Sequence, residues 1–192
     1  QLGVIDLQSP EAVALVSFDY STATQGEMQP LAEAVLGRLL GQGMRIIAVS
    51  LEPEGAVIAQ RTLTKLIDDR GGSYGDSVIN LGFLPGQAVA VRRLASGQQK
   101  LAEIPDFRDN LTLQAADQDN WQDIEDLRQV DMVVPLVDNA ATARWWIEQL
   151  ATAVQPDDAQ RYVLVAASAS AEPFLSPYRS SDQVNGLIAG IS

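Results

Sequence analysis

Val13-Ala-Leu-Val-Ser-Phe-Asp19 is the stretch that decides the fold of this 192-residue chain. It is an apolar run that contains one serine and ends on a carboxylate. A run of this length without polar alternation is typical of a strand that is covered on both faces. A polar loop, a helical pattern and a second apolar run follow it, which predicts the start of a βαβ unit. Asp19 is therefore expected at the C-terminal edge of a central parallel strand, where open α/β sheets bind ligands.

Strands and helices alternate along the rest of the chain. Five strands are predicted, at Ala12–Asp19, Arg45–Ser50, Ser77–Phe83, Val130–Val137 and Tyr162–Ala167. The longer helices are predicted at Gly26–Gly41, Ala56–Asp69, Gln87–Leu94 and Ala140–Val154. This alternation favours one α/β domain over residues 1–192, three-layered, doubly wound and Rossmann-like, with a mainly parallel five-stranded sheet. Strand order 3-2-1-4-5 is favoured because it brings the first and fourth strands together at the switch point, and 2-1-3-4-5 is the alternative.

Three segments show no clear helical or strand period. Residues 1–11 are predicted to be a lead-in to the first strand. Residues 98–120 are predicted to be an irregular crossover, with a short helix or an extra strand near Leu111–Ala115. Trp121–Arg128 is predicted to be a short acidic helix, and the polar tail of the chain is predicted to hold a short helix around Gln183–Ile188.

The composition limits the chemistry that is open to the chain. Hydrophobic residues make up 46% and charged residues 20% of the sequence, as in one globular domain with a sizeable core. The formal net charge of −12 disfavours nucleic acid and anionic lipid as partners, because both are negatively charged. The sequence has neither cysteine nor histidine, which excludes disulfides, thiol catalysis, Ser-His-Asp catalysis and histidine ligation of zinc or haem.

Asp19 and Asp138 each follow the last apolar residue of a predicted strand. In the favoured order they are neighbours across the crevice, where two carboxylates with water can hold Mg²⁺ for catalysis. Alternatively, each carboxylate caps a helix or stabilises a loop, since Asp138 stands just before a predicted helix and Asp is a favoured N-cap residue. Capping or loop stabilisation is the preferred interpretation. No cofactor is therefore expected. The alternative, a metal site formed by Asp19 and Asp138, would require Mg²⁺.

Gly82-Phe-Leu-Pro-Gly86 leads from a predicted strand into a helix that carries Arg92 and Arg93. Backbone N–H groups at such a helix start can hold an anion. The segment matches neither a Walker A loop nor the G-x-G-x-x-G pattern. A plain tight turn is therefore the preferred interpretation, with Gly82 and Gly86 as candidate ligand-binding residues in the other case.

Small hydroxyl residues at two other strand ends are also candidate ligand-binding residues. Ser21 follows the first strand, and Ser168 and Ser170 follow the fifth. A serine nucleophile would lack an activating base, so ordinary turn chemistry is the competing interpretation. Three large side chains of the tail follow these serines: Phe174, Leu175 and Tyr178. They either anchor a partner or pack the tail against the sheet, and packing against the sheet is the preferred interpretation.

Three segments carry a resemblance to a known group of proteins: Gly26-Glu-Met-Gln-Pro-Leu-Ala-Glu-Ala-Val-Leu36, Asn80-Leu-Gly-Phe-Leu-Pro-Gly86 and Ser176-Pro-Tyr-Arg-Ser-Ser-Asp-Gln-Val-Asn-Gly-Leu187. They resemble an uncharacterised α/β domain of bacterial membrane-associated proteins, in which the soluble part follows a membrane segment. The resemblance covers most of the chain and implies a membrane-anchored parent protein. It implies no activity and no site residues.

The absence of an initiator methionine at Gln1 agrees with a soluble piece of a longer protein or a processed product. We expect a non-catalytic binding or assembly domain that recognises a protein partner or a second copy through exposed aromatic residues. Membrane attachment is expected only through flanking segments. The alternatives are an Mg²⁺-dependent or nucleotide-type enzyme that uses Asp19 and Asp138, and a domain that senses a small anion at Gly82–Gly86.

Overall fold

The computed structural model describes residues 12–108, 111–113, 119–152 and 161–189. Its strands are β1 (Val13–Asp19), β2 (Arg45–Ser50), β3 (Val78–Phe83), β4 (Met132–Val137), β5 (Tyr162–Ala167) and β6 (Gly186–Ala189). Its α-helices are α1 (Gln25–Gly41), α2 (Pro53–Asp68), α3 (Ala88–Ala95), α4 (Ala140–Thr152) and α5 (Ser176–Ser180). The strands form a single sheet, all parallel, in the order β3-β2-β1-β4-β5-β6. The α/β fold and the favoured strand order are confirmed, with a sixth strand added at the β5 edge.

Both faces of the sheet are buried, as the continuous apolar strands predict. All seven residues of β1 are buried. Successive side chains of a strand point to opposite faces, and each face has its own hydrophobic cluster. One cluster includes Leu15, Ile47 and Val133, and the other includes Val16, Ile46 and Val134. The predicted central position of β1 is therefore confirmed, between β2 and β4.

The sixth strand replaces the helix predicted around Gln183–Ile188, and that prediction is wrong. Asn185 fixes this segment beside β5: its N–H donates to the Val163 carbonyl and its side-chain oxygen accepts the Val163 N–H, both at 2.8 Å. A short apolar run such as Gly186–Ala189 has no period that separates helix from strand. The helix of the tail lies earlier, at Ser176–Ser180, where Pro177 occupies the first turn.

The acidic helix predicted at Trp121–Arg128 is also wrong. Two 3₁₀ turns occupy this region, at Asp119–Trp121 and Leu127–Gln129. The Asp126 side chain accepts the Arg128 N–H and so starts a new turn instead of continuing a helix.

The long crossover contains the 3₁₀ turn Leu101–Glu103 and an isolated antiparallel bridge between Pro105 and Thr112. The short helix or extra strand predicted near Leu111–Ala115 lies partly outside the described residues, and the helix end predicted at Val154 lies wholly outside them. The predicted lead-in, residues 1–11, lies wholly outside them. Among the described helices, none is long and apolar enough to span a membrane.

Helix α2 begins at Pro53, three residues before its predicted start, because proline is favoured in the first helical turn. Gly55 then brings this turn against the end of β1. A Cβ atom on Gly55 would lie 1.9 Å from the Phe18 carbonyl oxygen and 2.3 Å from Ser50 Oγ. Only glycine allows this approach, which sets the position of α2 over the C-terminal edge of the sheet.

We therefore expect Gly55→Ala to lower the free energy of unfolding by about 3 kcal/mol or more, because the added methyl group overlaps backbone atoms of β1. Gly26→Ala is the matched control, since a Cβ atom at Gly26 in the first turn of α1 meets nothing within 4 Å. This control is expected to gain about 0.5–1 kcal/mol. Urea denaturation of both variants measures the difference, and equal stabilities would contradict the close approach.

Candidate functional site

The candidate site lies where the winding of the sheet reverses, between β1 and β4. Asp19 is paired in register with Val137, and the Asp138 N–H donates to the Asp19 carbonyl at 3.3 Å. The two strand ends that carry the candidate carboxylates are therefore adjacent. Because the strands are parallel, the loops that follow them open onto the same edge of the sheet, as expected from the sequence.

The Asp19 side chain points into the protein and is 1% exposed. Its Oδ2 accepts hydrogen bonds from Ser17 Oγ and Trp146 Nε1, both at 2.6 Å. Its Oδ1 accepts the Leu51 N–H at 2.7 Å. One carboxylate thus connects the central strand, the loop after β2 and helix α4.

The burial of this carboxylate changes its protonation. Loss of water around the ionised group raises the pKa of the Asp19 carboxyl from its ordinary value of 3.8 to about 6. The hydrogen bonds from Ser17, Leu51 and Trp146 favour the ionised form and offset this rise only in part. Asp19 therefore changes charge in a pH range where ordinary aspartates are already ionised.

Asp138 turns toward the loop between β1 and α1. Its Oδ2 accepts the Ser21 N–H at 3.2 Å and the Thr24 hydroxyl at 2.7 Å, and its Oδ1 accepts Asn139 Nδ2 at 3.0 Å. The residue that caps α4 is Asn139, whose side-chain oxygen accepts the Thr142 N–H at 2.9 Å. The sequence suggested two structural roles for Asp138, loop stabilisation and helix capping. These hydrogen bonds match loop stabilisation, whereas Asn139 caps the helix.

The two carboxylates contact separate sets of donors, although their backbones are adjacent. The side chain of Asp19 bonds to β1, α4 and the loop after β2, whereas that of Asp138 bonds to the Ser21–Thr24 loop and Asn139. Within residues 12–108, 111–113, 119–152 and 161–189, no three Asp or Glu side chains are grouped to hold a metal ion.

Two of the serine candidates, Ser168 and Ser170, lie at the same edge of the sheet, on the β5 side of the crevice. Ser168 is buried; its Oγ donates to the Asp138 carbonyl at 2.8 Å and lies 3.0 Å from Ser170 Oγ. The next backbone N–H, that of Ala169, donates to Glu27 Oε1 on α1 at 2.5 Å. These bonds join the ends of β4 and β5 to α1 across the switch point.

Gly82 and Gly86 lie apart from this crevice, at the β3 edge of the sheet. Their φ angles are +75° and +118°, and Gln87 follows with φ +52°. The backbone therefore turns sharply between β3 and α3, as the tight-turn interpretation requires. Arg92 and Arg93 lie in the last turn of α3, away from its N-terminus.

Sequence reasoning assigned no site role to three groups that hold the crevice together. Trp146 binds Asp19 from a position 127 residues away. Glu54 accepts both the N–H and the hydroxyl of Thr22, at 3.0 and 2.9 Å, and Glu27 accepts the Ala169 N–H. These contacts join residues that are far apart in the sequence, so no local sequence pattern predicts them.

The fold and its switch-point crevice define a Rossmann-like, doubly wound α/β domain. Comparison of the chain with protein-family models, with curated proteins and with solved structures found no significant match. The class therefore rests on the strand order and the parallel register.

The raised pKa of Asp19 predicts a specific pH dependence of stability. The folded state keeps a proton on Asp19 between about pH 4 and pH 6, where the unfolded state has released it, so stability falls as the pH rises through this range. A pKa change from 3.8 to about 6 corresponds to about 3 kcal/mol. The free energy of unfolding of the wild type, measured relative to Asp19→Asn, should decrease by this amount between about pH 4 and pH 6.5.

Asp123→Asn is the control, with the opposite sign. The hydrogen bond from Arg45 holds the pKa of Asp123 below its ordinary value. Its contribution to stability is therefore lost as the pH falls through the acidic range, below about pH 4. Identical pH profiles for wild type and Asp19→Asn between about pH 4 and pH 6.5 would refute the assignment.

Loss of the Asp138 carboxylate should loosen the loop after β1. We expect Asp138→Ala to lower the free energy of unfolding by about 1–2 kcal/mol, because the Ser21 N–H and the Thr24 hydroxyl lose a charged acceptor. Amide hydrogen exchange should become faster at Ser21. Asp68→Ala, which removes an exposed carboxylate on α2, is the control and should leave this exchange rate unchanged.

Proposed function

We propose that this chain is a non-catalytic binding or assembly domain. The observation that carries the proposal is that both carboxylates at the switch point accept hydrogen bonds from other groups of the protein, Asp19 as a buried and Asp138 as a half-buried side chain. Asp19 accepts three hydrogen bonds while 1% exposed, and Asp138 accepts three from its own and a neighbouring loop. A general base or a metal ligand must present lone pairs to a substrate or an ion, which these arrangements disfavour.

The composition supports the same proposal. A chain without histidine or cysteine has to rely on carboxylates, hydroxyls, lysines or arginines for catalysis. At the crevice, the Ser168 hydroxyl donates to a carbonyl and the Ser21 backbone donates to a carboxylate. Neither arrangement pairs a nucleophile with an activating base.

The proposal extends to the partners and the setting of the domain. A protein partner or a second copy fits the exposed aromatic side chains, and nucleic acid is disfavoured by the net charge of −12. We also propose a membrane-anchored bacterial parent protein, attached through segments that flank this chain. That part depends on the resemblance of the three segments that begin at Gly26, Asn80 and Ser176.

Two alternative functions each have one observation in their favour. The adjacency of Asp19 and Asp138 at neighbouring strand ends favours an Mg²⁺-dependent enzyme. The left-handed backbone at Gly82, Gly86 and Gln87 favours an anion-sensing loop before α3. Both alternatives predict a small ligand, whereas the proposed function predicts a macromolecular one.

Amide NMR titrations and a pulldown together distinguish these functions. We expect no selective change in the spectrum on addition of millimolar Mg²⁺ or inorganic phosphate, and retention of a protein when the chain is used in a pulldown from cells that make the parent protein. Mg²⁺ could instead shift the amide signals of Ser21, Leu51 and Asp138 in the wild type but not in Asp138→Asn. That result would contradict the proposed function and favour the Mg²⁺-dependent enzyme. A shift of the Gly86 and Gln87 amide signals with phosphate would contradict the proposed function and favour the anion-sensing domain.

A further inference from the structure

The sheet has two edge strands, and other parts of the same chain close one of them, β3. The Asn80 N–H donates to the Tyr74 hydroxyl at 2.8 Å, and the Asn80 carbonyl accepts the Phe107 N–H at 2.7 Å. The Val78 carbonyl accepts the Gly75 N–H at 2.9 Å. The loop before β3 and the crossover after α3 therefore occupy backbone groups with which another strand would pair.

The register of β5 fixes which backbone groups of the other edge strand, β6, point outward. The N–H groups of Tyr162 and Ser168 donate to carbonyls of β4 and of the residue before it, so odd-numbered residues of β5 face β6. Val165 is one of these, and it is paired with Leu187. In a parallel ladder such a residue bonds to the two neighbours of its paired residue, so the N–H and carbonyl of Leu187 point away from β5. Those of Ala189, two residues further along, point the same way.

These outward groups leave β6 as an open edge. In the part of the chain that the structure describes, no group bonds to the N–H or the carbonyl of Leu187 or Ala189. Asn185 lies before the strand and outside its alternation, since its N–H and its side-chain oxygen both bond to Val163. Proteins protect edge strands with charged residues or proline, and Gly186-Leu-Ile-Ala189 contains neither. β6 can therefore accept a further strand.

The sequence of β6 is self-complementary about Ile188. When two copies pair antiparallel about a twofold axis at this residue, Leu187 of each copy lies opposite Ala189 of the other, and their outward N–H and carbonyl groups bond to each other. The two Ile188 side chains then meet on the axis, in the type of pair that brings side chains closest. Ile188 is half-buried in a single copy, where it packs against the hydrophobic cluster of one sheet face. A second copy covers more of this side chain.

Charge and exposed apolar surface also favour a second copy at this edge. The chain has a net charge of −12, so most surfaces of two copies repel each other. Residues 183–189 carry no charge, and two copies can approach there. The 3₁₀ turn Glu172–Phe174 packs against β6, and Phe174 in this turn is 58% exposed. The turn thus adds exposed apolar surface near the uncharged strand.

We propose that this chain forms a twofold dimer in which the β6 strands of two copies pair antiparallel and join the two sheets into one. The second copy supplies the backbone donors and acceptors that pair with Leu187 and Ala189. The contact is isologous, and because β3 is closed by its own loops, the assembly stops at two copies. The inference rests on the proposed binding and assembly function and names the partner as a second copy.

Sedimentation velocity and amide hydrogen exchange of the 192-residue chain test the dimer together. As the concentration rises to about 1 mM, at an ionic strength that screens the repulsion between acidic copies, we expect a monomer–dimer equilibrium without larger species. The Leu187 and Ala189 amides should exchange fast in the dilute monomer and about tenfold or more slowly in the dimer. The Gly186 and Ile188 amides, which face β5, are the internal control and should be protected at both concentrations.

The position of Ile188 on the axis allows a charge exchange. Ile188→Glu and Ile188→Lys each place two like charges opposite one another, so either variant alone should dimerise about tenfold or more weakly than the wild type. An equimolar mixture of the two variants should restore a 1:1 complex, since unlike charges then meet. Val57→Lys, at an exposed apolar position on α2, is the matched control and should dimerise like the wild type. Circular dichroism should show that every variant is folded.

A single introduced cysteine tests the register, because the chain has no cysteine of its own. Opposite Cβ atoms in a pair of this type lie about 4.5–5.5 Å apart, close to the separation that a disulfide spans. Ile188→Cys should therefore form a covalent dimer when an oxidant such as diamide is added. Phe83→Cys, at the exposed end of the closed edge strand, is the control and should form much less covalent dimer.

A wild type that stays monomeric up to about 1 mM would overturn the dimer. Slow exchange of the Leu187 and Ala189 amides in the monomer would also overturn it, because another part of the chain would then cover β6. Dimerisation that both charge variants retain, or variants that fail to pair when mixed, would place the contact on another surface. These results would leave the proposed binding function standing with a different partner, whereas turnover of a small molecule would overturn that function itself.

Discussion

The buried carboxylate of Asp19 is the constraint on which the rest of the site depends. It lies at the end of the central strand and accepts hydrogen bonds from Ser17, the Leu51 backbone and the Trp146 indole. An ionised group in this position is stable only while all its donors remain in place. The relative positions of β1, the loop after β2 and helix α4 are thereby fixed by one side chain.

This constraint has a consequence for the crevice above it. The loops that open at the switch point are joined to one another by hydrogen bonds that Asp138, Glu54 and Glu27 accept. Rossmann-like domains use the same location for ligands. In this protein the geometry of the location is retained while the polar groups named above stabilise the scaffold, and exposed apolar side chains such as Phe83 and Phe174 lie elsewhere.

The fold could be read from the sequence where burial dictates composition. A strand covered on both faces has to be continuously apolar, so β1, β2, β3 and β5 are found within one residue of their predicted bounds. The same rule fails for Gly186–Ala189, because a four-residue apolar run fits a helix turn as well as a strand. The helix predicted at Trp121–Arg128 is wrong for a different reason, because the Asp126 side chain competes with the helix for a backbone N–H.

The sequence by itself determined the α/β architecture and the placement of Asp19 and Asp138 at strand ends, since strand periodicity depends on local pattern alone. It left two strand orders open, and the structure decided that these two strand ends are adjacent. Only the tertiary structure decided what those carboxylates do. The direction of a side chain and the identity of its donors depend on residues such as Trp146, more than 120 positions away. The same holds for the exposed apolar residues Phe83, Phe107 and Phe174, which are apolar in sequence like any core residue and differ from the core only in what the folded chain leaves uncovered.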